Sequence, residues 1–192
     1  MPLYSQPALT SAEYLCRERR ATVKHDYHDG VIVATDGASR KHNLIVGDTN
    51  ASLIAQLRSR PCETYTGDMR VAIPARNIYT YPDLVGVCEE PQFEDTEVDT
   101  LLNPALIIEV LSPSTERYDR TGKFALYRSL PSLHEYLLIA QDEYRIDYYR
   151  RTADGLWFIG EAQGHESGLT LAIGEGCTLA LAEVYARVPL AE

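Results

Sequence analysis

Lysine is scarce in this 192-residue chain. It occurs at Lys24, Lys41 and Lys123 only, so a single lysine serves everything after the first quarter. Lysine and arginine together number 18 against 28 acids, a formal net charge of −10. That excludes a globally basic nucleic-acid coat protein, though not an enzyme with a local basic site. Cysteine is also sparse. Cys16, Cys62, Cys88 and Cys177 form no CxxC pair, which excludes a zinc ribbon on spacing. Cys88 lies in an apolar run and Cys177 beside one, so buried free thiols are expected. No stretch approaches the ~18 apolar residues of a membrane span. Met1 to Thr10 has neither a basic region nor an apolar one, so no signal peptide is expected. Together these absences predict a soluble cytoplasmic protein in a reducing compartment.

Hydrophobic residues make up 45% and charged residues 24%, a globular composition that argues against disorder. The length suits one domain with its own core. No internal repeat, low-complexity tract or linker interrupts it. One domain over 1–192 is expected, with a helix and hairpin in 1–38, a core in 39–141, and a hairpin and short helix in 142–192.

Thr10-Ser11-Ala12-Glu13 has the form of a capping box and predicts a helix to about Arg20. Asp29-Gly30 between Lys24–His28 and Val31–Ala34 is a hairpin signal, because glycine accepts positive φ. Ser39 can cap a helix from about His42 to Leu57, with Val46, Asn50, Leu53, Ile54 and Leu57 as its apolar stripe. Pro61 ends it. Strands are predicted at Cys62–Thr66, Met69–Ile73, Leu84–Cys88 and Ala105–Leu111, the last two apolar enough to be central. Glu89–Asp99 holds six acids and no base in eleven residues and reads as a solvated loop. It lacks the calcium-loop pattern. A helix over Asp119–Leu130, a strand over His134–Ala140 and a hairpin around Asp154-Gly155 follow. A short helix is predicted in Leu179–Val188. The order argues for an α/β sandwich with hairpin additions at both ends.

Three residues break this local pattern, and such breaks mark functional positions. Glu109 interrupts the apolar strand Ala105–Leu111, sharing a face with Ile107 and Leu111. A buried carboxylate must be paired, protonated or bound to a metal. A strand-end salt bridge is the bland alternative. Asp83 opens a strand directly after Pro82; alone it would be a turn or cap residue. Lys123 lies one helical turn after Asp119, where a surface ion pair is the bland alternative. From Arg117 to Arg128 there are four bases and one acid, a local exception to the net negative charge. Two acids on strands, a nearby lysine and local basic charge suit metal-assisted phosphodiester hydrolysis. Mg²⁺ takes one or two carboxylates and completes its shell with water and phosphate oxygens. A lysine can orient or deprotonate the attacking water, or neutralise the phosphate.

These residues carry a resemblance. Lys24-His-Asp-Tyr-His-Asp-Gly30, His42-Asn43, Asp68-Met-Arg-Val71, Tyr81-Pro-Asp83, Ile108-Glu-Val-Leu-Ser-Pro-Ser-Thr115, Asp119-Arg120 and Lys123-Phe-Ala-Leu-Tyr127 resemble the Uma-two-like (Uma2) family. That bacterial group is labelled as restriction endonucleases and placed in the PD-(D/E)XK nuclease superfamily. The resemblance covers nearly the whole chain. It implies an α-β-β-β-α-β restriction-endonuclease-like core of mixed sheet flanked by helices. It maps Pro82-Asp83 onto the Pro-Asp motif and Glu109-Val110-Leu111 onto the (D/E)-x-K tripeptide. Position 111 is Leu, so the lysine moves to the following helix, where Lys123 matches. The implied metal, Mg²⁺ or Mn²⁺, would be held by Asp83, Glu109 and the Val110 carbonyl. Asp68 and His42 are two further candidates. Asp26 stands where a Glu is more usual.

The implied activity is a metal-dependent endonuclease with DNA as the expected transient substrate, no membrane partner, and a homodimeric assembly. Two other readings fit the same residues: a catalytically inert nuclease-fold binding or assembly protein, and a hydrolase of another phosphoester. Ser112-Pro-Ser-Thr115 lacks the Gly-x-Ser-x-Gly elbow of a serine hydrolase. His25-x-x-His28 is a poor metal pair, since residues three apart on a strand face opposite ways.

Overall fold

In the computed structural model, which describes residues 8–35 and 37–190, both predicted helix caps form. The Thr10 hydroxyl accepts from the Glu13 N–H, and the Glu13 carboxylate accepts from the Thr10 N–H, opening α1 (Ser11–Glu18). Such a cap contributes about 1 kcal/mol. Ser39 accepts from the His42 N–H and opens α2 (Arg40–Leu57). The stretch assessed for a signal peptide lies mostly in residues 1–7, outside the described residues.

The remaining elements follow in chain order. Before α2, β1 (His25–His28) and β2 (Val31–Ala34) form the hairpin at Asp29-Gly30. After it come β3 (Glu63–Thr66), β4 (Arg70–Ile73), β5 (Ile78–Thr80), β6 (Leu84–Val87), β7 (Thr100–Leu101) and β8 (Leu106–Val110). A broken helix consists of α3 (Glu116–Tyr118), a π turn (Asp119–Lys123) and α4 (Phe124–Tyr127). Then come β9 (Glu135–Ile139), β10 (Arg145–Arg151), β11 (Trp157–Gln163), β12 (Gly168–Thr170), β13 (Thr178–Ala180) and α5 (Leu181–Val184).

The central six-stranded sheet has the order β11-β10-β9-β8-β6-β3. β3, β6 and β8 pair antiparallel, whereas β8 and β9 are parallel. A parallel pair needs a crossover, supplied by the broken helix. Thus α2, β3, β6, β8, the broken helix and β9 form a mixed α/β core of the predicted α-β-β-β-α-β order. The β10–β11 hairpin extends it. A second sheet, β2-β1-β5-β4-β7, is built from the N-terminal hairpin and the excursion between β3 and β6. One apolar cluster joins α2 and α5 to one face of the central sheet through Ile45, Leu53, Leu106, Ile108 and Val184. Another joins the opposite face to the second sheet and the broken helix through Ile107, Leu111, Val71, Ile73 and Tyr127. With both faces covered, β8 is buried throughout, as its apolar run requires.

Several expectations are corrected. Cys88 is not a free thiol: it is disulfide-bonded to Cys62. The β3–β6 register, in which Glu63 faces Val87, brings these flanking cysteines opposite each other. Cys177 is free and buried as expected, and Cys16 is free and exposed. The buried row of α2 is Ile45, Thr49, Leu53 and Leu57, while Ile54 is 43% exposed. A polar Thr49 within the row displaces the apolar reading onto a neighbouring face. The Glu89–Asp99 loop is only partly solvated. Asp95 and Asp99 pair with Arg19, Asp99 also pairs with the buried Arg70, and Glu94 accepts from the Tyr79 hydroxyl. The helix predicted at Asp119–Leu130 begins earlier and is interrupted by the π turn. Leu179 and Ala180 belong to a strand, with helix only from Leu181 to Val184.

Candidate active site

Antiparallel register sets the site. Leu84 faces Ile108 across β6 and β8. Continuing the register by one residue places Asp83 opposite Glu109, and directly opposed residues share a sheet face. The Val110 N–H donates to Asp83 Oδ2 at 2.7 Å, which locks this arrangement. Asp83, Glu109, Val110, His42 and Lys123 all line one cavity of about 610 Å³. Its walls are the β1–β2 hairpin, the segment leading into α2, and the Ser112–Tyr118 turn.

Each carboxyl has one engaged oxygen. Asp83 Oδ2 also lies 3.0 Å from His42 Nε2, brought there by the first turn of α2. Glu109 Oε1 accepts from the Tyr127 hydroxyl at 2.9 Å and lies 3.0 Å from Lys123 Nζ. Among the described residues, no hydrogen bond reaches Asp83 Oδ1 or Glu109 Oε2. Glu109 is 3% exposed. Burial pushes its pKa up to about 8; Lys123 opposes the rise, and Asp83 and Asp119 add to it. Burial works against the Lys123 charge, but Glu109 and Asp119 outweigh it and raise the ammonium's pKa.

Lys123 does not choose between the acid pair and Asp119, as the sequence alternatives supposed. Its ammonium is 3.0 Å from Asp119 Oδ1 as well as from Glu109, and Asp119 is itself 2% exposed. The i,i+4 pair is therefore buried beside the cavity. His42 joins the site, with its Nδ1 buried and without a partner among the described residues. Asp68 does not: its side chain is 94% exposed and pairs with Lys24. His25 contacts Glu18 beside α1, whereas His28 lines the cavity, so the two histidines do part company.

Sequence reasoning gave no role to Asp26 and missed the burial of Asp119. Asp26 lines the cavity from β1 and accepts from the Tyr81 N–H. Burial raises its pKa, against the pull of Lys123. A signal was available: Tyr27 is buried, so alternation along β1 turns Asp26 and His28 to the other face. Four carboxyls thus surround the cavity, and Lys123 is the only Lys or Arg among its described lining residues.

Among the described residues, no group of three or more His, Cys, Asp and Glu side chains is arranged to hold a metal ion. The donor set nevertheless fits one hard cation. Two facing carboxyls each keep an oxygen without a protein partner, and Mg²⁺ needs no more than one or two. The raised pKa of Glu109 points the same way, since a cation compensates a buried carboxylate as a proton does.

Comparison with known proteins shows the family and the fold. The Uma2 family model, described as "Putative restriction endonuclease", matches residues 11–182. A protein of Synechocystis sp. named "Uncharacterized protein sll1609" is 40% identical over 159 residues, covering 83% of this chain and 90% of its own. A second from the same organism, "Uncharacterized protein slr1290", is 39% identical over 153 residues, covering 80% of each chain. The fold is shared with a solved structure from Anabaena variabilis described as "a putative nuclease belonging to DUF820". Its TM-score is 0.77 at 16% identity, over 94% of this chain and 99% of that one.

Proposed function

The chain belongs to the Uma2 family, and from that premise we propose that it hydrolyses phosphodiester bonds of nucleic acid, DNA in particular, with Mg²⁺ or Mn²⁺. The observation that carries this reading is the convergence of Asp83, Glu109 and Lys123 on one cavity, two carboxyls facing each other across β6 and β8. Asp83, Glu109 and the Val110 carbonyl would hold the ion. When bound, it acidifies water and stabilises the charge that develops in the displacement. His42 and the Val110 N–H fix the Asp83 carboxyl from one side, leaving Oδ1 free. Tyr127 does the same for Glu109 from beneath. Lys123 stays charged between two acids, so it acts as a donor rather than a base. It orients the attacking water or donates to a phosphoryl oxygen. The reading includes association as a two-fold dimer, supported by the exposed Leu156, Phe158 and Ile159 at the edge hairpin.

The test is Mn²⁺ titration calorimetry together with cleavage of plasmid DNA. The wild type should bind Mn²⁺ and cut. Asp83→Asn and Glu109→Gln should each lose binding and at least a hundredfold of the cleavage rate. Absence of Mn²⁺ binding, or unchanged cutting by either variant, would refute the proposal.

A further inference from the structure

The helix after β8 is broken at a place where nothing in the sequence forbids a regular one except Gly122. A side chain at Gly122 would collide with the ring of Tyr118, so the tightly laid ring requires glycine. The π turn Asp119–Lys123 begins just after Tyr118. Such i→i+5 turns recur at functional sites. Asp119 and Lys123, the two ends of this one, pair with each other, and both turn inward.

The Asp119 backbone is fixed independently of Lys123. Its N–H donates to the Thr115 carbonyl at 2.9 Å, and its own carbonyl accepts from the Tyr136 hydroxyl of β9 at 3.0 Å. The carboxyl is thereby held at a set depth. Its Oδ1 is buried and, among the described residues, makes no well-formed hydrogen bond; its salt-bridge partner there is the Lys123 ammonium at 3.0 Å. A buried carboxylate with so little hydrogen-bonding is costly to the fold. Glu109 Oε1 lies at the same distance, 3.0 Å, from the Lys123 ammonium, so the lysine is held between two carboxyl groups.

We propose that Asp119 is a positioning residue, a fixed anchor that keeps the Lys123 ammonium at the cavity floor once Glu109 is engaged by a divalent cation. This rests on the metal-dependent reading above. A cation on Glu109 withdraws that carboxylate from Lys123 and repels the ammonium. With Glu109 alone as partner, the flexible lysine stem would swing out to solvent. Asp119, pinned through its backbone to β9 and to Thr115, supplies the remaining attraction.

The test uses full-length protein and Asp119→Asn, which keeps shape and removes charge. With plasmid DNA and Mn²⁺, kcat should fall at least tenfold while KM stays within about twofold. In a Lys123→Met background the same substitution should change kcat less than twofold, because the anchor then has nothing to hold. An equal loss in both backgrounds would overturn the proposal, since Asp119 would then act independently of Lys123. Crystals of Asp119→Asn soaked in Mn²⁺ give a readout free of activity: Lys123 Nζ should leave the Glu109 side of the cavity. Retention of the ammonium within ion-pair distance of Glu109 would also overturn it. If the wild type cuts nothing, the proposed function fails, while the crystals still decide the anchoring. Should Asp119→Asn not fold, Asp119→Glu keeps the buried charge but displaces it by a methylene. It should lose at least fivefold in kcat, and an unchanged kcat would overturn the proposal.

Discussion

Replacing Glu109 by Gln should change how stability depends on pH, and the size of the change follows from burial. Glu109 is 3% exposed, and its pKa is raised from 4.5 to about 8. Between those values the metal-free native protein retains a proton that the unfolded chain has released. The stabilisation tied to that proton is complete below about pH 4.5 and is lost as pH rises through about 8. The limiting slope for one proton is about 1.4 kcal/mol per pH unit and flattens toward each pKa, so the wild type should lose roughly 3 to 4 kcal/mol from pH 5 to pH 8 through this group. Lys123 stays charged throughout that window and adds no slope. The amide of the Glu109→Gln variant cannot titrate, so the difference between the two proteins isolates the carboxyl. Urea unfolding in EDTA at pH 5, 6, 7 and 8 measures it. The wild type should lose stability relative to the variant with rising pH. Saturating Mn²⁺ at pH 8 should restore the wild type and leave the variant unmoved. Parallel profiles for the two proteins would refute the reasoning, because Glu109 would then be ionised in the native state as easily as in the unfolded one.

Three further outcomes are expected. Thiol titration of the unreduced, denatured protein should find two free cysteines, Cys16 and Cys177; reduction should release two more. Loop closure over the 26-residue separation of Cys62 and Cys88 makes their disulfide worth about 3.5 kcal/mol, so a Cys62→Ser, Cys88→Ser double variant should show a lowered urea midpoint and a steeper slope, because the unfolded chain without the cross-link exposes more surface. Light scattering at micromolar concentration should give twice the monomer mass, and Phe158→Glu with Ile159→Lys at the edge hairpin should return it to one; a wild-type monomer would count against the dimer.

Much of the fold was legible because its strongest signals are local. The capping box at Thr10, the Ser39 cap and the Asp29-Gly30 hairpin depend on neighbours within a few residues, and each forms as read. The apolar runs at β6 and β8 identify themselves as central strands for the same reason. What was lost depends on pairing at a distance. The Cys62–Cys88 bond requires β3 to pair with β6 across the β4–β5 excursion, a partner choice that neither strand states in its own residues. β5, only three residues between Pro74 and Pro82, is too short to show a period. The acidic loop looks fully solvated until Arg19 and Arg70 arrive from α1 and β4.

The site divides along the same line. Asp83, Glu109 and Lys123 stood out because each contradicts its own segment. Asp26 and Asp119 contradict nothing locally: one sits in a polar hairpin strand and the other opens what reads as an ordinary helix. Only the second sheet brings Asp26 over the cavity, and only the π turn buries Asp119. Counting them changes the chemistry. Two acids and a lysine could nearly balance their own charge. Four carboxyls around one lysine cannot, and burial holds the pKa of both Asp26 and Glu109 high. Without a ligand, Asp26 and Glu109 hold their protons more readily than free carboxyls do. A divalent cation displaces those protons and satisfies the same oxygens, so metal affinity should strengthen as pH rises toward 8. On the proposed reading, the excess of acid that makes the chain as a whole a poor partner for phosphate would, at this one point, recruit the cation through which phosphate could bind.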